Sequence, residues 1–279
     1  MSAIVAPHTK ILTPDMVKLG FEEIQPTDST EPRLICCTDA GEKQGKSHWS
    51  FTAPGPVIGV LSTDAGTREV MRKFLPPVTN KRFIYNSIAR AKDMVADKAN
   101  EDTVKRAWEH AKDCMEALVN NKQVRTIVTD TATELWELCR LARFGKLVQV
   151  MPNQYGPVNN EFRKTILKLP GERDGLNAVF VHKTKKEYRG KDGKDSWTGK
   201  MERAGFADAP YIADIVIKHY RTDLDPDEND GQRCRFGIRV LDSRFEPTSL
   251  IGMEFEGEDN TFAMLAQMCF PDTDPEYWE

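Results

Sequence analysis

The sequence predicts an α/β fold with a mostly parallel central sheet flanked by helices and additional antiparallel strands near the C-terminus. Three observations predict it. Short apolar runs at Leu34-Ile35-Cys36-Cys37, Val57 to Leu61, Arg125 to Thr129 and Ala178 to Val181 alternate with stretches of helical periodicity. Runs of this length, bounded by turn residues, suit strands covered on both faces, as a parallel sheet requires. The last third changes character: Ile212 to Tyr220, Arg233 to Leu241 and Leu250 to Glu256 follow one another as strands separated by turn residues.

Taken in order, residues 1–30 are rich in Pro and Thr, with only short apolar patches such as Ile11-Leu12 and Val17 to Phe21. They read as an N-terminal arm, and residues 31–279 as one domain. The first strand runs into a polar, glycine-containing turn, and Lys46 to Phe51 fits the opening of a helix. Pro54-Gly55-Pro56 is a strong turn signal before the second strand, which ends at Ser62-Thr63-Asp64-Ala65-Gly66. Residues 87–120 are helical in pattern, with Ala107, Trp108, Ala111, Met115 and Leu118 at spacings of three and four. The strand at Arg125 to Thr129 closes on Asp130. Leu135, Trp136, Leu138, Cys139, Leu141 and Ala142 mark an amphipathic helix over 132–144, and a further helix fits 159–169. The strand Ala178 to Val181 ends at His182. Asp223 to Gly231 is an acidic turn, and a final helix fits 260–269.

The chain has 279 residues, 39% hydrophobic and 29% charged, with a formal net charge of −4. That balance excludes a protein that coats nucleic acid by bulk positive charge, so any such contact must come from a local basic segment. Cys36, Cys37, Cys114, Cys139, Cys234 and Cys269 form no CxxC pair and have no accompanying His cluster, which argues against zinc and for reduced thiols in a cytoplasmic protein. No signal-peptide pattern opens the chain, and no run approaches the roughly 18 apolar residues of a membrane span.

The main chemical signal is Ala40-Gly41-Glu42-Lys43-Gln44-Gly45-Lys46-Ser47, followed by His48. It fits the relaxed Walker A pattern of Ala or Gly, four residues, then Gly-Lys-Ser/Thr. Phosphates need main-chain N–H groups aimed at them from a tight curl, and glycine permits that curl. The helix that follows offers its N-terminus to the anion. Lys46 is placed to meet the β- and γ-phosphates, and the Ser47 hydroxyl to bind Mg²⁺. The pattern follows an apolar run and precedes a helix-compatible segment, as the chemistry requires.

Asp130, closing a buried strand, is the matching Walker B carboxylate and second Mg²⁺ ligand, with Thr131 able to add a hydroxyl. Asp64, at the end of the second strand, is either the base that activates the attacking water or a turn-forming Asp before Ala65-Gly66. His182, at the end of the Val179–Val181 strand, is either a residue facing the γ-phosphate that senses hydrolysis or simply a surface residue. The segment after it carries Lys183, Lys185, Lys186, Arg189, Lys191 and Lys194, with Tyr188 and Trp197 interleaved. Cations that track phosphates and aromatics that stack on bases suit single-stranded nucleic acid. Glu187, Asp192 and Asp195 dilute the charge, and the lack of apolar periodicity predicts a loop disordered without ligand.

Together these residues resemble the RecA-like P-loop ATPases, and more narrowly the phage-encoded ATP-binding proteins related to RecA-type recombinases and implicated in single-strand annealing. The resemblance rests on Gly45 to Pro54, Val60 to Thr67, Ile127 to Thr131 and Val179 to Lys183, and spans about residues 33–220. It implies ATP and Mg²⁺ binding, ATP hydrolysis, self-assembly into a ring or filament, and action on single-stranded DNA in the host cytoplasm, with a single-strand DNA-binding protein as a further partner. It also implies that the segment after His182 faces DNA. The family often has Glu where Asp64 stands, and a shorter carboxylate predicts slow hydrolysis. Arg189, Lys200 and Arg203 are candidates for a cation supplied to a neighbouring subunit. Two other readings share the same motifs: a helicase- or loader-type motor, and an assembly protein using ATP as a structural ligand.

Overall fold

Strand β1 (Ile35–Ala40) is buried along its whole length and lies at the middle of the sheet. It pairs in parallel with β5 (Asn177–Lys191) on one side and β7 (Ile215–Asp223) on the other. Beyond β5 come β4 (Thr126–Asp130), β2 (Val57–Ser62) and the edge strand β3 (Arg82–Ser87), all parallel. Beyond β7, β8 (Cys234–Ser243) and β9 (Glu254–Glu256) add in antiparallel fashion. The order of this nine-stranded sheet is β3-β2-β4-β5-β1-β7-β8-β9, with β6 (Lys194–Arg203) paired to β5 alone. This is the mostly parallel sheet with late antiparallel strands that the residue pattern predicts.

The computed structural model describes Pro14, Lys18 and residues 31–147, 151–191, 194–226, 231–245 and 250–279. The chain divides into Met1–Glu31 and Pro32–Glu279. Apart from Pro14 and Lys18, the arm predicted over residues 1–30 lies outside the described residues, as does part of the acidic turn. No helix among the described residues is long and apolar enough to cross a membrane. All six cysteines are free.

Strand alternation sends β1 residues to two different cores. Ile35 and Cys37 join the layer built by Trp108, Met115, Leu135, Trp136 and Phe162. Cys36, with Leu34 just ahead of the strand, joins the layer of Trp49, Phe51, Val128, Val181, Ile217, Phe262 and Trp278. Covering both faces explains the unbroken apolar runs of the central strands. On the first face lie α4 (Glu101–Asn120) and α5 (Ala132–Phe144). A Cβ on Gly59 of β2 would stand 2.7 Å from Leu118 Cδ2, so glycine there lets α4 sit directly on the sheet. The second face carries α1 (Lys46–Ser50), α2 (Thr67–Arg72) and α7 (Phe262–Cys269), which falls within the predicted 260–269.

Four expectations need correction. The helical stretch over 87–120 is two helices, α3 (Ala91–Ala96) and α4. Between them Lys98 turns left-handed, and the Asn100 side chain caps α4 by accepting the Thr103 N–H at 2.8 Å. Strand β3 lies unrecognised before them, because an edge strand is only half-covered and lacks an apolar run. The helix fitted to 159–169 is α6 (Tyr155–Phe162), continued by a wide π-helical turn over Arg163–Lys168. Finally, the strand after Leu176 does not end at His182, and the basic segment is no disordered loop.

Instead β5 runs on and folds back through β6 as a hairpin. Its polar residues are partners across the ladder. Tyr188 stands opposite Trp197, and Lys186 lies over the Trp197 ring at 5.1 Å. Glu187 accepts from Thr198 Oγ1 at 2.6 Å and pairs with Arg189 at 2.8 Å. Aromatic, Thr and opposite-charge pairs across strands stabilise a ribbon without an apolar face. That explains why apolar periodicity did not reveal it.

Candidate functional site

The loop after β1 closes at Gly45, which has φ 85 and caps α1 in the left-handed region. A Cβ there would meet Phe236 of β8 at 3.2 Å as well as being strained. The Gln44 side chain accepts the Gly41 N–H at 2.8 Å and braces the curl from within. The first main-chain bond of α1 is Trp49 N–H to Gly45 C=O at 2.9 Å, so the amides ahead of Trp49 have no acceptor inside the helix and face the curl. The Lys46 ammonium donates to the Gly41 and Ala40 carbonyls at 2.6 and 3.1 Å. Burial lowers its pKa, and the carboxylates of Asp130, Asp39 and Asp64 act the other way. Ala40 to His48 therefore form a cradle with one ammonium folded back over its mouth.

Asp130 closes β4 and is 1% exposed. Its Oδ2 accepts from Ser47 Oγ at 2.8 Å and from Thr67 Oγ1 at 2.9 Å, and Ser62 Oγ donates to Thr67 Oγ1 at 2.8 Å. One carboxylate oxygen thus ties α1 and α2 to β4. Burial pushes the Asp130 carboxyl above its ordinary range, while the two hydroxyl bonds pull it back. Ser47 and Asp130 present hard oxygens side by side at the mouth of the cradle, a donor set that fits Mg²⁺. Thr131 does not add a hydroxyl to this set: its Oγ1 accepts the Glu134 N–H and caps α5.

Asp64 is exposed just past β2, and its Oδ1 accepts the Gly66 N–H at 3.0 Å. The turn role is thus filled, while its charge also acts on both Lys46 and Asp130. His182 is fully buried inside β5, with Nδ1 facing the Ala204 carbonyl at 3.3 Å and Thr133 Oγ1 at 3.5 Å. Burial, helped by the Arg203 charge, drops its pKa to about 3, so its ring is neutral. It joins β5 to α5 and to the end of β6, rather than standing at an open strand end.

Arg203, at the foot of β6, lies 4.0 Å from Asp39 and 3.6 Å from Cys37 Sγ. It is engaged within its own chain. Arg189 is held by Glu187 and remains exposed. In the hairpin, Lys183 pairs with Glu134, Lys185 with Glu202 at 3.1 Å, and Lys186 with the Trp197 ring; Tyr188 and Trp197 are each 54% exposed. Lys191 pairs in register with Lys194. Sequence reasoning missed Asp39, Thr67 and Glu134. Asp39 had a usable signal, because a carboxylate inside a buried strand needs a partner. Thr67 and Glu134 had none.

A parallel sheet whose middle strand feeds a glycine-closed curl, with Lys46 and Ser47 opening a helix and a buried Asp130 at the neighbouring strand end, defines a P-loop ATPase domain. The chain belongs to the AAA domain family, whose model matches residues 36–250. No curated protein matches the sequence.

Proposed function

We propose that this chain is a RecA-like ATPase that binds ATP with Mg²⁺ at the Ala40–His48 cradle and acts on single-stranded DNA, as a homo-oligomer, in phage recombination or replication. Lys46 meets the β- and γ-phosphates after leaving the Gly41 and Ala40 carbonyls. Ser47 and Asp130 would hold Mg²⁺, which would screen phosphate charge. Asp64, whose charge acts on Lys46 and Asp130, is the carboxylate that orients and deprotonates the attacking water.

The observation that carries the DNA reading is the continuity of β5. The strand lies beside the loop-bearing β1, with His182 in register with Asp39, and continues into a hairpin that displays Tyr188 and Trp197 among Lys185, Lys186 and Arg189. Exposed aromatics stack on any base and flanking cations follow the backbone, which suits sequence-tolerant binding to single strands. Fluorescence anisotropy of labelled single-stranded DNA at low salt, with and without ATP, tests this; no binding in either condition sinks it. A second reading, ATP as a structural ligand of an assembly protein, is favoured by the engagement of Asp64 with Gly66. Bound nucleotide with no measurable turnover, even with DNA, selects that reading.

A further inference from the structure

Four of the six cysteines, Cys36, Cys37, Cys139 and Cys269, are buried, while Cys114 and Cys234 are partly open to solvent. The two open thiols differ in their neighbours. Cys114 lies on α4 one helical turn after His110, so the two side chains leave the same face of the helix. Its Sγ stands 3.5 Å from His110 Nε2 and 3.8 Å from Nδ1. Asn86 of the edge strand β3 reaches the same point from the sheet. Its Nδ2 donates to Cys114 Sγ at 3.2 Å, and its Oδ1 lies 3.4 Å from His110 Nε2. Cys234, at the start of β8, has no such histidine among the described residues.

The three side chains satisfy one another in a ring. The Asn86 oxygen can only accept, so it takes the proton on His110 Nε2. Nδ1 then keeps its lone pair for the Cys114 S–H, and the sulfur accepts the Asn86 N–H. His110 is thus a proton acceptor for the thiol. Asn86 orients the imidazole and also donates to the sulfur, where negative charge appears when the proton leaves. A nucleophile, a base within reach and a third group that orients the base are the parts of an activated thiol. Burial, with the Asp113 carboxylate acting the same way, raises the Cys114 pKa, so the resting thiol is protonated and relies on a base to lose its proton. His110 is exposed and Cys114 only half-buried, which leaves the sulfur open to a small reagent. None of the three residues belongs to the phosphate cradle or to the hairpin.

We infer that Cys114 is a thiol-exchange site for low-molecular-weight disulfides of the oxidised-glutathione class, with His110 as its base. Sγ attacks one sulfur of the disulfide while Nδ1 removes the thiol proton. The small molecule's S–S bond breaks as the new one forms, and the departing thiolate takes the proton back from the imidazolium. Cys114 is oxidised to a mixed disulfide and the released half of the reagent is reduced to a thiol, so protons and electrons balance without another reactant. The Asn86 N–H remains on the sulfur while it carries charge.

The test exposes the full chain, folded and without nucleotide or DNA, to oxidised glutathione at neutral pH. Peptide mass spectrometry follows the adducts at Cys114 and Cys234 in the same molecules. Cys114 reacts about tenfold faster than Cys234. His110→Phe keeps a ring beside the sulfur but removes the base; the rate at Cys114 falls about tenfold, that at Cys234 is unchanged, and added imidazole restores part of the loss. Asn86→Ala lowers the Cys114 rate about threefold. Equal rates at the two cysteines of the unaltered chain overturn the inference, with no variant needed. So does a His110→Phe chain in which Cys114 keeps its rate.

Discussion

One strand, β5, crosses two environments. In its first half, from Asn177 to His182, every residue is buried between the two cores. Asn177 Oδ1 there accepts the Leu34 N–H at 2.8 Å, and the neutral His182 ring turns Nδ1 towards Thr133 and Ala204. In its second half the same strand carries charges in water, paired with Glu187, Glu202 and the Trp197 ring. The lesson is one of scale. A buried polar group has no water to replace a lost partner, whereas an exposed ion pair contributes on the order of 0–1 kcal/mol. Substitutions at the crest of the sheet should therefore act on nucleotide binding and stability, and substitutions along the hairpin on DNA alone.

The sharpest test is at the cradle. Lys46→Ala removes the ammonium that lies across its mouth, and ATP affinity should fall roughly a thousandfold, read by isothermal titration. Unchanged affinity would break the assignment of the loop. Asp64→Asn keeps an oxygen for the Gly66 N–H but removes the base, so ATP binding should persist while turnover falls about a hundredfold. Equal turnover would leave Asp64 as a turn residue only.

A third effect separates the buried half by pH. His219 of β7 is fully buried, its ring edge-on to Trp49, and burial together with the Lys46 charge lowers its pKa from 6.5 to about 3. The unfolded chain takes up that proton first as pH falls. The folded state is thus at full strength above about pH 6.5 and loses stability from there down towards 3, by about 2 kcal/mol between pH 6.5 and 5. His219→Phe should remove that share of the acid loss in urea titrations at pH 7 and 5; an identical loss in the variant would contradict it.

The hairpin should respond more weakly and in one property. Trp197→Ala should lower single-stranded DNA affinity about tenfold and leave ATP affinity unchanged. A loss of ATP affinity would mean that the two halves of β5 are not separable. Smallest of all, Lys185→Ala breaks an exposed pair with Glu202 and should change the unfolding free energy by less than about 0.5 kcal/mol.

The same contrast explains what could be read from the residues alone. The central strands were legible because burial on both faces leaves runs such as Val57 to Leu61, and the cradle because its chemistry is local in sequence. The edge strand β3 and the hairpin were not, since a half-covered edge leaves no apolar run and a ribbon held by cross-strand Tyr188–Trp197 and Glu187–Thr198 pairs shows no apolar periodicity. Thr67 was invisible for a related reason. Its bond to Asp130 links residues 63 positions apart, and nothing in a Thr before Arg68 announces it. Asp39 was within reach, as a lone acid in an apolar strand, but its partner Arg203 arrives only through the folding back of β6.

Between Asn177 and Lys186, β5 pairs without a register shift; the first comes between Lys186 and Tyr188. An unbroken register of that kind links its outer part to its inner part through consecutive ladder bonds. Tilt the root at Lys183 by a few degrees and the aromatic tip must sweep through a proportionally larger arc. The hairpin is in this sense the pointer of a gauge whose needle is pivoted beside the phosphate cradle.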